Sequence, residues 1–460
     1  MAETYELCVI GAGTAGFAAA EEARAEGRRV MLVTGPGDLG GTCILRGCMP
    51  AKTLLESTQR LRAVDDAQDV GVATGSAHVD LRAVVRRKRE LVDYFAEDRV
   101  AELETYPLRR GRARFVGTDT IEVGGTRLGA ERFVIATGSR LDASLMPCLS
   151  IGSYLAVDDA LELRNAPASI AILGGGPVGC EFAQYFSRLG ARVTLLQDDQ
   201  ELLRYEDDDI GAAIREALER DGVEVRCGAA VTHCESDGDG RRITYDHDGT
   251  AHELRVAAAM LTSGRVPNTL DLDLTAAGIE TTEGGAIAVD ANLRTTNPKV
   301  YAAGDVLGRR YLVHVAEYAG KLAARNAFAA TPAAADFERQ EAHAIYTQPQ
   351  VAVAGLTERA CRARGLDVTV RRHPFSEIGK AVVSAEQEGF IKMLVDECDR
   401  IVGVALLGDD AIDLAGEAIT LIACGATTRD VAAMPHLHPT MGEIFARVAE
   451  RFATLAGRSG

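Results

Sequence analysis

The chain opens with an apolar run, YELCVI at positions 5–10, that ends abruptly at GAGTAG. An unbroken apolar run of this length closed by glycine predicts a buried strand and a tight turn. FAAAEEARAEG follows with apolar positions at helical spacing, and RRVMLV is a second buried strand. Together they predict a strand–helix–strand unit. The pattern returns at residue 169, where SIAIL runs into GGGPVG, then the helix-like CEFAQYFSRLG, then ARVTLLQ. A repeated unit of this kind predicts two nucleotide-binding domains.

Between the repeats, residues 53–105 carry helical periodicity, and residues 109–137 alternate like strands up to FVIATGSR. Further on, TNPKVYAAGDV reads as a strand with a sharp polar end, HVAEYAGKLAARNAF as a helix, and TPAAAD at 331–336 as a linker. In the remainder, strands (QVAVAGL, GFIKMLV, RIVGVALLG) alternate with helices (AIDLAGEAITLIAC, MGEIFARVAERFATLAG). That predicts an α+β domain built on an antiparallel sheet. The expected fold class is therefore α/β, with two Rossmann-like domains and a C-terminal α+β domain. The expected boundaries are 1–150, 151–270, 271–336 and 337–460.

A chain of 460 residues is too long for one core, in keeping with several domains. The excess of 67 acidic over 50 basic residues, a net charge of −17, argues against a nucleic-acid or anionic-membrane surface. No apolar run approaches the roughly 18 residues of a membrane span. A strand pattern within five residues of the N-terminus leaves no room for a signal peptide. Ten scattered cysteines, several of them in apolar surroundings such as Cys8 and Cys180, point to reduced thiols and a cytoplasmic protein.

Both glycine loops fit GxGxxG between a strand and a helix: Gly11, Gly13 and Gly16, then Gly174, Gly176 and Gly179. The first glycine permits the turn, the second lets backbone approach a pyrophosphate, and the third lets helix and strand pack closely. The helix N-terminus then receives the anion. An acid usually ends the second strand and binds a ribose hydroxyl. Here Thr34 and Gln197 stand in its place, but Asp198 and Asp199 follow Gln197 and would repel a 2′-phosphate. The expectation is NAD rather than NADP.

One cluster stands out chemically, GGTCILRGCMPAK at 40–52, with Cys43 and Cys48 five positions apart. Taken in order, GAGTAG, GGTCILRGCMPAK, ATGSR, GGGPVGCE, GRVPN, YAAGDV and HLHPTMGE resemble the pyridine nucleotide–disulfide oxidoreductases over essentially the whole chain. The resemblance implies an FAD domain, an NAD(P) domain inserted in it, a central segment and a C-terminal dimerisation domain. The active site would be shared across a homodimer.

On a regular helix, positions five apart have Cα atoms roughly 8.6 Å apart, whereas a disulfide needs less than about 7 Å. A Cys43–Cys48 bond therefore requires a break in the helix, which Gly47 and Pro50 favour. A zinc site would want two more Cys or His ligands at short spacing, and an inert pair is the other alternative. By resemblance, Cys43 matches the thiol that exchanges with substrate and Cys48 the thiol against the flavin. Lys52 matches the lysine near flavin N5, paired with Glu181. His438 matches the acid–base of the partner subunit, with Glu443 as its carboxylate. His436, two residues earlier, could be confused with it.

The same resemblance implies FAD contacts from Gly11, Gly13, Thr14, Ala15, Gly16, Thr34, Gly41, Thr42, Lys52, Ala113, Thr137, Gly138, Ser139, Asp305, Leu312, Val313 and His314. It implies NAD contacts from Gly174, Gly176, Pro177, Val178, Gly179, Glu181, Gln197, Gly264 and Arg265. No metal is expected.

Within the family, FSEIGKAVVSAEQEGFIKML is most like dihydrolipoyl dehydrogenase, which implies a dithiol substrate or a lipoyl-carrier protein. The final AGRSG holds no cysteine pair of the kind mercuric reductases use, and acids stand where glutathione reductases usually carry basic residues for NADPH. Thr34, Arg46, Met49 and Pro177 depart from the commonest dihydrolipoyl dehydrogenase pattern and suggest a specialised paralogue. The alternatives are a reductase of another low-molecular-weight disulfide, a mercuric-reductase-like paralogue, or a flavin-binding protein with a retired site. Retention of both cysteines, Lys52, Glu181, His438 and Glu443 argues against the last.

Overall fold

A computed structural model describes residues 5–141, 148–149 and 152–456. It divides into two compact units: 1–51, 86–146 and 264–337 in the first, and 52–85, 147–263 and 338–460 in the second.

The first unit is built on a mixed sheet. Its strands run Leu108–Arg110, Val30–Thr34, Tyr5–Ile10, Thr126–Ile135, Thr120–Val123 and Ala113–Gly117 in spatial order, and Val300–Ala302 also joins Thr126–Ile135. Tyr5–Ile10 lies parallel to both neighbours, with Leu7 opposite Val30 and Arg132. That is why its side chains are apolar on both faces: Leu7, Cys8 and Val9 are all fully buried. Helix Thr14–Ala25 packs against helix Val313–Phe328. At Gly320 a Cβ would lie 2.2 Å from the Ala15 carbonyl oxygen, so only glycine allows this approach. The expected strand-like alternation of 109–137 is realised as four strands between Leu108 and Ile135.

The second unit holds a parallel sheet in the order Glu224–Cys227, Arg192–Gln197, Ser169–Leu173, Ala258–Leu261. Helix Pro177–Arg188 covers it and buries Phe182, Tyr185 and Phe186. A three-stranded antiparallel sheet, Ala229–Asp237, Gly240–His247 and Thr250–Val256, has no counterpart in the sequence reading. Few of its residues are buried, so the apolar alternation that marks a strand is faint there. The C-terminal segment forms the expected antiparallel sheet, in the order Ala342–Ile345, Gln350–Gly355, Ile401–Gly408, Phe390–Val395, Thr369–Pro374. Helices Ala411–Cys424 and Glu443–Ala456 pack on it around Phe375, Ile391, Met393 and Phe445.

One charged residue is buried on the opposite face of that sheet. Lys392 points inward from strand Phe390–Val395 and is 0% exposed, held by Asp207, Asp209 and Glu358 at 2.6, 2.8 and 3.0 Å. Burial alone would lower the lysine, but the hydrogen bonds to Asp207 and Asp209 outweigh it and hold the ammonium above its usual range. Among the described residues, no helix is long and apolar enough to cross a membrane.

Candidate active site

Each glycine loop is shaped by backbone contact that a side chain would block. Gly11 has φ +113°, and a Cβ there would lie 2.1 Å from the Ala136 oxygen. A Cβ on Gly16 would lie 1.8 Å from the Gly11 oxygen, and one on Gly179 1.9 Å from the Gly174 oxygen. Gly13 and Gly176 occupy the N-caps of helices Thr14–Ala25 and Pro177–Arg188, and neither end is capped by a side chain. Thr14 and Ala15 open the first helix, and Pro177 and Val178 the second. Leu312 is the N-cap of helix Val313–Phe328, again without a side-chain cap, and Val313 and His314 are exposed at that end. The three ends present unpaired N–H groups and positive dipole ends, the donor set that a pyrophosphate or an anionic ring system requires.

Around the first loop, Gly41 approaches so closely that its Cβ would lie 2.8 Å from the Gly13 Cα. Thr34 ends strand Val30–Thr34, and Ala113 starts the strand paired opposite Val123. Gly138 has φ +72° and sits in a cross-linked turn. Thr137 donates to the Asn268 carbonyl at 2.7 Å, and Asn268 donates back to the Thr137 carbonyl at 3.0 Å. Ser139 donates to Asp305 at 2.6 Å and accepts from Arg265 Nε at 3.1 Å.

The helix is broken between the two cysteines. A short helix, Gly41–Leu45, ends at Arg46, and a new one, Cys48–Asp66, begins after Gly47. Pro50 falls in the first turn of the new helix, where its missing N–H costs nothing. Cys43 is half-buried and Cys48 exposed. The Cys43 thiol is pushed well above the ordinary cysteine range, first by its hydrogen bond to Cys48, then by burial and by the neighbouring sulfur's charge. Arg99, stacked 3.8 Å over the Phe17 ring, acts the other way.

Four residues after Cys48 on the same helix, Lys52 meets Glu181 of helix Pro177–Arg188 at 2.7 Å. Glu181 is 2% exposed, and its second oxygen accepts the Tyr346 amide at 2.9 Å. Lys52 Nζ also lies 4.5 Å from the centroid of the Tyr346 ring. Tyr346 and Asn268 were not among the site residues read from the sequence. Asn268 lay within the quoted GRVPN motif, whereas nothing in AIYTQPQ marks Tyr346.

One of the expected contact residues shapes the second loop itself. Gln197, expected to meet a ribose, is buried, with Oε1 accepting the Gly175 amide at 2.7 Å and Nε2 donating to Asp199 at 3.1 Å. Its amide is consumed in shaping the loop, so the exposed carboxylate of Asp198 is the group left at the strand end. Arg265, expected with Gly264 at the nicotinamide dinucleotide, has its guanidinium hydrogen-bonded to Ser139.

The third centre lies between helices Thr428–Ala433 and Glu443–Ala456. His438 Nδ1 is 3.0 Å from Glu443 Oε1, and Thr440 N donates to Glu443 Oε2 at 3.2 Å. The hydrogen bond from His438 holds the Glu443 carboxyl below its usual range. The His438 side chain is 76% exposed, with its ring orientation set by Nδ1 and Nε2 turned outward. His436 is different: it is largely buried and paired to Glu417 at 2.9 Å. Among the described residues, no group of three or more His, Cys, Asp or Glu side chains could hold a metal ion.

Residues 5–320 match the pyridine nucleotide-disulphide oxidoreductase model, and residues 342–449 match the dimerisation domain of the same family. The chain belongs to this family. It is 33% identical to the mercuric reductase of Bacillus cereus, covering 95% of this chain and 70% of that protein. It is 35% identical to the dihydrolipoyl dehydrogenase of Thermus scotoductus, covering 97% of each. Among solved structures it superposes on the HOCl-induced flavoprotein disulfide reductase RclA from Escherichia coli, with TM-score 0.85, 27% identity, and coverage of 97% of this chain and 99% of that one. The family is one of flavoprotein disulfide oxidoreductases that use FAD and a pyridine nucleotide, and the glycine cradles and uncapped helix ends fit both groups.

Proposed function

We propose that this chain is an NAD-dependent oxidoreductase of a small dithiol, with dihydrolipoamide as the substrate that fits best. The observation that carries the choice is end-to-end similarity. The dihydrolipoyl dehydrogenase of Thermus scotoductus is matched over 97% of its length, whereas the Bacillus cereus mercuric reductase extends well beyond the matched part. Asp198, exposed at the end of its strand, supports NAD by repelling a 2′-phosphate.

Bound FAD supplies two-electron exchange between the nicotinamide and the cysteine pair. The residues supply the rest. His438 of the partner subunit, oriented by Glu443, takes the proton from a substrate thiol. The resulting thiolate attacks Cys43 in the disulfide and displaces Cys48 as a thiolate. The second substrate thiolate then attacks the mixed disulfide, releasing oxidised substrate and leaving Cys43 reduced. Lys52, held by Glu181, would set a fixed cation beside the flavin, Asp305 would bind the cofactor's side chain, and the N-terminus at Leu312 would favour negative charge on the ring. In this reading 1–150 and 271–336 form the flavin domain, 151–270 the nucleotide domain and 337–460 the interface domain.

A second reading, reduction of another disulfide or of a thiol-bound metal ion, is favoured by Arg46, which puts a cation between the two cysteines. One steady-state comparison separates the two. Dihydrolipoamide with NAD should give the higher kcat/KM against glutathione disulfide or mercuric ion with NADPH. A preference for NADPH, or for either alternative acceptor, overturns the first reading.

A further inference from the structure

His438 sits at the tip of an exposed loop, beside Leu437 at 81% exposure. A ring so placed would lose much of its catalytic value to motion unless the backbone were held on both sides. On the C-terminal side the tie is visible: Thr440 and Glu443 bind each other, and Thr440 Oγ1 donates to the Leu437 carbonyl at 2.7 Å. The N-terminal side has its own tie. His436 is 11% exposed and lies between two acceptors, with Nε2 at 2.9 Å from Glu417 Oε1 and Nδ1 at 3.2 Å from the Met434 carbonyl. Both partners are acceptors, so the ring is held from two sides. Glu417 projects from helix Ala411–Cys424, and a Cβ on Gly442 would lie 4.0 Å from its Oε2. One carboxylate therefore stands against both flanks of the loop.

We infer that the His436–Glu417 pair is a positioning device for His438. It anchors the loop to helix Ala411–Cys424, and the adjacent His438–Glu443 pair orients the ring. This rests on the reading of His438 as the acid–base group. HLHPTMGE thus contains two histidine–carboxylate pairs with separate duties, one buried for placement and one exposed for proton transfer.

The test is a split of half-reactions in Glu417→Gln, Glu417→Ala and His436→Phe. Reduction by NADH, monitored at the flavin, should stay within about 2-fold of the parent. Oxidation of dithiol should slow on the order of 10-fold or more in Glu417→Ala and less in Glu417→Gln, which keeps an acceptor oxygen. The double variant Glu417→Ala/His436→Phe should be no slower than the worse single one, because the pair acts as a unit. Equal slowing of both half-reactions, additive losses, or no loss overturns the inference. His438→Ala run beside them separates the causes. If it is slow while the Glu417 variants are normal, only the positioning role fails. If it is itself normal, the acid–base reading fails and the positioning role with it.

Discussion

The Cys43 thiol and the Asp409 carboxyl illustrate how single residues take their chemistry from neighbours. The Cys43 thiol is raised first by its hydrogen bond to Cys48, a contact that local sequence could not reveal. Asp409 is pushed up to about 6 by burial first, and then by Glu386, Glu388, Asp410 and Asp66. The sign follows directly. Below about pH 4 the carboxyl is protonated both folded and unfolded. Between about pH 4 and 6 the unfolded chain releases the proton while the folded one retains it, so stability falls as pH rises through this window. Above about pH 6 the loss is complete. Asp409→Asn should therefore stabilise the protein at pH 7.5 by on the order of 1–2 kcal/mol, discounted for partial exposure, and leave it nearly unchanged at pH 4. Chemical denaturation at the two pH values measures the difference.

At the scale of elements, the strand–turn–helix units were legible because their signals are local. An apolar run buried on both faces, a glycine that must turn and a helix with regular spacing can all be read from neighbours in sequence. The Cys43–Cys48 stretch was legible for a similar reason: Gly47 and Pro50 announce the break between the helices. What stayed hidden depends on partners distant along the chain. Lys392 sits in GFIKMLV, where nothing tells whether the lysine faces solvent or three carboxylates more than thirty residues upstream. Tyr346 owes its place to the Glu181 carboxylate, and Gln197 was assigned to a ligand because its bond to Gly175 is invisible in sequence. The glycine loops carry a direct test. Gly179→Ala would put a methyl carbon 1.9 Å from the Gly174 oxygen and force the turn apart. Nucleotide affinity should fall at least 10-fold while flavin content stays at the parent level. Gly16→Ala should do the reverse and lower flavin occupancy. Titration with NADH and the visible absorbance of the purified protein report the two.

For the whole molecule, the decisive question is whether one active site draws on two chains. Cys43 and His438 lie in different units of one chain, and the match to the family's dimerisation domain supports a site completed by the partner. Two inactive proteins, Cys43→Ser and His438→Ala, should then complement each other. After dissociation and random reassociation, half the dimers are mixed, and each carries one intact site, so about a quarter of parental activity should return. If Cys43 and His438 served each other within one chain, mixing would restore nothing. Steady-state assays of the reassociated mixture decide between these outcomes.

The helices that follow Gly13, Gly176 and Leu312 begin without a side chain to satisfy their first amides. Each leaves backbone donors waiting for an anion that the polypeptide does not itself provide. A ligand that binds only the folded form adds about 2.7 kcal/mol at a hundred times its dissociation constant, a large share of the margin by which a typical domain stays folded. The amount of this protein that survives in a cell is thereby tied to vitamin supply: a riboflavin shortage would thin its ranks through quality control before it slowed any single turnover.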